Sequence, residues 1–349
     1  MYYFYFDEPL QINDYSIKSL SEYIELLSFN STLYHRAREF YKEQLNKPID
    51  SDEKSYQKYI YEKNLKLKND FIKYVNKIIH LDSNNDFEIF YRGISDENYL
   101  QIPSIYRDNN FKYENRYIED IRITNYDDLG NTEYIDELST LQHYGCPTRL
   151  LDLTRNPLVA LYFACADALN LEPKRNGKVL LFLTDNKSIL NSNSDKVLIL
   201  TAISHLSKEV KEQLLDVCDT EIKTKGYNAK LDSKLCTKTC VKKLYNEILK
   251  VSSFEKEILC IDLLQSFYVQ PSYKNLRIRA QTGLFLLNGL CKNEKECSSR
   301  NENKIFAKIE IPAKYKRNIL NELDRVGINR RFLFPEIEDT IKYLREKYK

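Results

Sequence analysis

Residues 142–167 read Gln-His-Tyr-Gly-Cys-Pro-Thr-Arg-Leu-Leu-Asp-Leu-Thr-Arg-Asn-Pro-Leu-Val-Ala-Leu-Tyr-Phe-Ala-Cys-Ala-Asp, a polar cluster set directly ahead of a nearly uncharged helix. Asn156 is a good N-cap, and Pro157 suits the first helical position, where its missing N–H is no loss. Leu158, Leu161, Tyr162, Cys165 and Leu169 form one apolar stripe. Ala160, Ala164 and Ala168 form a second, smooth one that lets a sheet approach closely. Such a helix belongs in the interior. Ahead of it, Tyr144–Pro147 predicts a tight turn, because Gly145 permits positive φ and Pro147 fixes its own. Thr148–Leu153 predicts a short buried strand. Turn, strand and helix together bracket Gln142, His143, Thr148, Arg149 and Asp152. Burying such groups without a task is costly unless they satisfy one another. The plain structural reading is an Arg149–Asp152 pair that staples the turn.

The remaining chain has an α+β pattern. Ile17, Leu20, Ile24 and Leu27 mark one amphipathic helix, and Tyr56, Ile60, Leu67, Phe71, Val75 and Ile78 mark another. Neither carries a chemical motif, so residues 1–84 read as a helical extension, either a cover on the core or a partner surface. Phe87–Gly93 reads as a strand with Arg92 at its end. A guanidinium there offers a fork of donors to phosphate or carboxylate, with a salt bridge as the structural alternative. Ile102–Arg107 brings Ser104 and Arg107 after another turn, and Glu114 and Glu119 on a following helix can neutralise either arginine. Lys178–Leu183 predicts a central strand, and Phe267–Gln270 a short one ended by Pro271. Arg277–Leu287 predicts a further strand with Gln281 and Gly283 at its start, where a glycine marks close approach of a ligand or backbone. Ile305–Ile311 alternates as a half-buried strand.

Residues 186–260 read as a mostly helical, polar insertion with a solvated Lys-rich middle from Lys223 to Lys243; nucleic-acid contact is the lesser alternative there. A helix from Ala313 to Val326 stops at Gly327, and Leu333-Phe-Pro335 introduces a last one from Glu336. The expected plan is a core over 85–312 and C-terminal helices over 313–349.

Bulk properties narrow the function. With 53 basic and 51 acidic residues the formal net charge is +2, so no global electrostatic case exists for nucleic acid or anionic membrane. No run reaches membrane-span length, and Met1–Asp7 lacks the features of a signal peptide, so the expected location is the cytoplasm. The eight cysteines then read as reduced thiols, and Cys236/Cys240 and Cys291/Cys297 lack a neighbouring histidine, so no metal is expected, with convergence of these four thiolates on zinc as the lesser alternative. The 27 tyrosines against 8 glycines fit an AT-rich codon bias, which makes any one tyrosine a weak signal. Phosphate-binding glycine fingerprints and the HExxH and GxSxG signatures are missing.

Four blocks, Tyr91-Arg92-Gly93, Pro103-Ser-Ile-Tyr-Arg107, Gln142–Ala164 and Arg277–Phe285, resemble the FRG-domain family, whose Phe-Arg-Gly triplet here reads Tyr-Arg-Gly. Leu333-Phe-Pro-Glu336 is similar to members of it as well. The resemblance implies a mixed central sheet similar to an ADP-ribosyltransferase core, in a family common among bacterial proteins linked to phage defence. It implies NAD as substrate, gripped by Arg92 with Tyr91 and Gly93. Ser104, Arg107, Gln142, Thr148, Arg149, Thr154 and Gly283 would complete the binding site. His143 would bond a ribose hydroxyl or the nicotinamide amide, Asp152 would stabilise a cation-like ribose, and Gln281 would orient the acceptor. The third motif departs from the transferase pattern, offering the amide of Gln281 where a carboxylate is expected. The charge must then come from Asp152 or Glu119.

Three functions stand as expectations. The first is an enzyme that transfers ADP-ribose to a macromolecule or hydrolyses NAD. The second is a non-catalytic nucleotide sensor that signals to a partner protein through its N-terminal helices. The third, less favoured, is a nucleic-acid-directed effector. The first requires Arg92, His143, Asp152 and Gln281 to share one pocket that a carboxylate faces.

Overall fold

The computed structural model describes residues 15–28, 87–125, 133–169, 173–231, 238–272 and 275–348. The helix expected over 56–78 and Cys236 lie outside them. Among the described residues the strands are β1 (Tyr15–Ser16), β2 (Phe87–Ile94), β3 (Leu150–Thr154), β4 (Gly177–Asp185), β5 (Leu190–Asn191), β6 (Lys230–Leu231), β7 (Ile258–Leu259), β8 (Ser266–Gln270), β9 (Gly283–Asn288) and β10 (Ile305–Ile311). The first seven helices are α1 (Leu20–Ser28), α2 (Glu114–Thr124), α3 (Tyr134–His143), α4 (Pro157–Cys165), α5 (Asp195–Ala202), α6 (Lys208–Lys225) and α7 (Thr239–Leu249). They are followed by α8 (Cys260–Leu264), α9 (Leu276–Ala280), α10 (Glu294–Glu302), α11 (Lys316–Arg325), α12 (Arg330–Leu333) and α13 (Ile337–Lys347). The fold is α+β, with a mixed central sheet ordered β1-β10-β4-β2-β3-β9-β8-β5. Its interior is antiparallel; only the edge strands β1 and β5 pair in parallel, with β10 and β8.

Period-two alternation sets the layers. Phe90 and Ile94 of β2, Leu151 and Leu153 of β3, Leu180 and Phe182 of β4, and Leu284 and Leu286 of β9 share one buried cluster. The alternate residues face helices across the sheet. Val179, Leu181, Ala307 and Ile309 pack with α4 and α11, whereas Leu150, Phe267, Val269, Phe285 and Leu287 pack with α3, α5, α6 and α7. The register pairs Tyr91 with both Leu181 and Thr154. Both helical groups therefore cover the same face, and they meet over the boundary between β2 and β3.

The described residues of 186–260 are mostly helical, as the sequence predicts, but their apolar side is one of these two cores: Leu200, Leu214 and Leu244 are fully buried. Lys223 and Lys225 stand on the exposed side. The strand expected over 277–287 divides in two. Asn275 accepts from the Arg277 N–H at 2.8 Å and so caps a helical turn, α9. Thr282 at φ 47 then reverses the chain into β9. Arg-Ile-Arg-Ala alternates like a strand, and the cap at Asn275 overrides it.

Helix α4 begins as its sequence predicts, with Asn156 accepting from the Leu158 N–H at 2.9 Å and Pro157 following the cap. It lies against the sheet backbone to backbone. A Cβ on Gly93 would fall 1.8 Å from the Ala160 carbonyl oxygen, and one on Gly177 would fall 2.2 Å from that of Ala164. Two glycines on the strands and two alanines on the helix make this approach sterically permissible. Helix α11 rests on α4, and Tyr23 of α1 donates to the Pro157 carbonyl at 3.0 Å. Among the described residues no helix is long and apolar enough to cross a membrane.

Gly93→Ala must push α4 off β2, because the atoms in the way are main chain. The expected cost is about 3 kcal/mol, the upper end of ordinary overpacking, read as a lowered urea midpoint.

Candidate functional site

The site arises where the sheet splits. β2 pairs with β4 along its whole length and β3 pairs likewise with β9, yet β2 and β3 meet only at Tyr91 and Thr154. The Arg149 carbonyl accepts from Asn288 at 3.0 Å, and Arg155 donates to the Thr282 carbonyl at 3.1 Å. Residues of that parity turn their backbone groups to β9, so Asp152 turns its own toward β2. At that point β2 has parted from β3. Arg92 Nη1 donates to the Asp152 carbonyl at 2.7 Å in place of the missing ladder, and Nε donates to Gln101 Oε1 at 3.2 Å. Nη2 has no partner among the described residues. Burial lowers the Arg92 guanidinium to about 10 and Asp152 opposes the shift, leaving a cation at neutral pH.

A cavity of about 250 Å³ opens in this gap, between α3 and α4. Arg92, His143, Asp152 and Gln281 all line it, as do Tyr91, Gly93, Gln142 and Thr154 among the expected binding residues. Phe163, Phe285 and Arg277 also stand in the wall.

Asp152 is the acid in an otherwise apolar strand, and its side chain is open to the cavity. Its Oδ1 accepts from Gln142 Nε2 at 2.6 Å, while Gln142 Oε1 accepts from the Thr148 hydroxyl. Thr148 donates its N–H to Ser104 Oγ at 3.1 Å. Ser104 and Thr148 therefore lie behind the cavity and set the Gln142 amide, which sets Asp152. The surrounding protein pushes the Asp152 carboxyl above its ordinary value, against the pull of Arg92, Arg277 and Gln142.

Besides Ser104 and Thr148, three expected binding residues stand away from the cavity. Arg149 is fully buried, with Nε and Nη2 on the two Glu114 oxygens at 2.8 and 2.5 Å and Nη1 on the Asn288 carbonyl at 3.1 Å. It has no nitrogen to spare for a phosphate, and its partner is Glu114 rather than Asp152. The two residues are three apart on nearly extended chain, which sends their side chains to different sides. Arg107 donates to the Ile102 carbonyl at 2.9 Å, closing its own turn. Gly283 starts β9 against Ile278 and does not line the cavity. Glu119 is exposed on α2, so Asp152 is the carboxylate that faces the site.

Two contributors escape the sequence reading. Arg277, expected within a strand, projects from α9 and lies 4.3 Å over the Phe334 ring. Glu336 lies 3.3 Å from His143 Nε2. It occupies the N-cap of α13 but makes no capping bond, and an acid placed at a cap after Pro335 is the signal that sequence alone offers. Gln281 Nε2 donates to the Leu333 carbonyl at 3.1 Å, so residues 333–336 strap the cavity edge. Among the described residues no group of His, Cys, Asp and Glu is suited to a metal ion.

A family model of the FRG domain matches residues 87–172, from the start of β2 to just beyond α4. That span carries Arg92, Gln142, His143 and Asp152; Arg277, Gln281 and Glu336 come from the chain beyond it. No curated protein and no solved structure matches the chain.

Within the matched span the Glu114–Arg149 pair is structural, and Lys211 adds a second cation at 2.6 Å. Burial opposes ionisation of Glu114, but Arg149 and Lys211 outweigh it and hold the carboxyl at about 2. Glu114→Gln strands two buried cations and is expected to cost about 3–5 kcal/mol, measured by urea unfolding. The folded-state value lies below the ordinary one, so the stabilisation is whole above about pH 4.5 and is lost as pH falls toward 2. Acid titration of the wild type should show that loss, and the variant should lack it.

Proposed function

We propose that this FRG-domain protein is an NAD-consuming enzyme, one that cleaves the bond between nicotinamide and ribose and passes ADP-ribose to water or to a macromolecular acceptor. The observation that carries the reading is the convergence of Arg92, Arg277, Asp152, His143 and Gln281 on one cavity in the sheet. Arg92 Nη2 and Arg277 suit the two negative charges of a pyrophosphate. Tyr91, Phe163 and Phe285 offer aromatic surface for a planar ring. A volume of about 250 Å³ is below the 300–1,000 Å³ of pockets that engulf drug-sized ligands. It suits one end of a dinucleotide, with the remainder outside.

Glycosidic cleavage of NAD builds positive charge on the ribose. A carboxylate beside it is a stabilising term, and in this reading Asp152, hydrogen-bonded to Gln142, supplies it. This reassigns the charge that transferases carry on their third motif, where Gln281 here ties down the strap. The same reading accommodates the phage-defence setting of the family, since NAD loss is an effector outcome.

The test is nicotinamide release by the purified protein, with NAD affinity measured in parallel. Asp152→Asn preserves shape and is expected to lower kcat by about 10²–10³-fold while binding persists. Arg92→Ala is expected to weaken NAD binding and abolish release. Binding without release in the wild type would sink the enzymatic reading in favour of a sensor, and absence of both would leave Arg92 as a sheet staple alone.

A further inference from the structure

We infer that His143 and Glu336 form a carboxylate–imidazole pair that acts as the general base of the cavity and takes its proton from a hydroxyl acceptor. The role in turnover rests on the NAD-cleaving reading, whereas the pair itself does not.

A carboxylate only accepts hydrogen bonds, so the 3.3 Å contact between Glu336 Oε1 and His143 Nε2 is favourable when Nε2 carries the proton. The carboxylate thereby favours the Nε2–H tautomer, as carboxylates do for imidazoles at metal and catalytic sites. Nδ1 is then the lone-pair nitrogen. It is buried and has no partner, and it belongs to a residue that lines the cavity. A buried acceptor left open in this way is costly unless a ligand supplies the hydrogen.

Glu336 is held in place from several sides. Leu333 is fully buried and bonded through its carbonyl to Gln281. Phe334 meets the Phe163 ring edge-on at 6.1 Å and lies under the Arg277 guanidinium. Tyr144 sets the other side of the imidazole, edge to face at 4.8 Å. The strap thus orients the base while its tip stays at the cavity rim.

Proton affinity selects the acceptor. An arginine guanidinium stays protonated, with a pKa above about 12, and gives Nδ1 no proton to take. An attacking O–H becomes acidic as its oxygen bonds to C1′. In the step, the C1′–N bond breaks and its electron pair leaves with nicotinamide, quenching the pyridinium charge. A lone pair of the acceptor oxygen forms the C1′–O bond, and its proton passes to Nδ1, giving an imidazolium beside Glu336. The acceptor is water or an alcohol.

Nitrogen-15 NMR of the histidines, four in the chain and assigned by substitution, reads the tautomer directly. Nδ1 of His143 should be unprotonated and Nε2 protonated in the wild type, and Glu336→Ala should lose that preference. The opposite tautomer, or no change in the variant, overturns the pair. In nicotinamide release, His143→Ala is expected to lower kcat by about 10²–10⁴-fold, with NAD affinity kept and partial rescue by added imidazole. Glu336→Ala should lower it by about 10–100-fold. Undiminished turnover in His143→Ala overturns the base assignment, and ADP-ribose recovered on an arginine overturns the hydroxyl acceptor. If the wild type releases no nicotinamide, the NAD reading fails and the tautomer alone decides the pair.

Discussion

One hydrogen bond makes the split sheet tenable: Arg92 Nη1 to the main-chain carbonyl of Asp152. Strands part readily at a sheet edge, where water satisfies the freed groups. Here they part in the middle of the sheet, at the cavity, where no neighbouring strand is left to pair the freed carbonyl. A guanidinium has donors to close that gap and still present another to the opening. Arg92 is therefore neither the salt bridge nor the simple ligand fork that its sequence context suggests. It is a main-chain staple with a nitrogen left over, and the cavity exists because the staple is long enough to hold the strands apart.

Around this point the charges are sorted by burial. Glu114 is absorbed by Arg149 and Lys211, Glu137 by Arg122 and His205, and Asp167 by Lys316. Each of these acids meets a basic partner away from the cavity. Asp152 instead takes its hydrogen bond from a neutral amide, and Glu336 faces an imidazole. Among the described residues neither of these two acids has a direct Arg or Lys ion pair, whereas the others are tied into the fold by one.

Much of this was legible before folding was considered. The Asn156–Pro157 start of α4, the paired stripes of Leu and Ala, and the alternation in β10 are local signals, and they hold. Asp152 was read as one of the polar cluster that the turn, strand and helix bracket. What sequence could not assign was partnership. Glu114 was a candidate for Arg92 or Arg107 and found Arg149, because that choice depends on how α2 crosses the sheet. Arg277 alternated like a strand residue until the cap at Asn275 turned it into a helix. Glu336 is nearly two hundred residues from His143, and no local pattern announces such a meeting.

The Gly93 and Gly177 contacts with α4 have a mechanical consequence. A wall whose main-chain atoms touch has no slack, so β2, α4 and the Arg92 they carry behave as a fixed anvil. The opposing boundary, residues 333–336, is held mostly through side chains: Gln281 reaches the Leu333 carbonyl, Phe334 packs against Phe163 and Arg277, and Glu336 meets His143. The two walls thus differ in kind: one is main chain against main chain, and the other sets the distance between Glu336 and the imidazole through side-chain packing on Phe163 and Arg277.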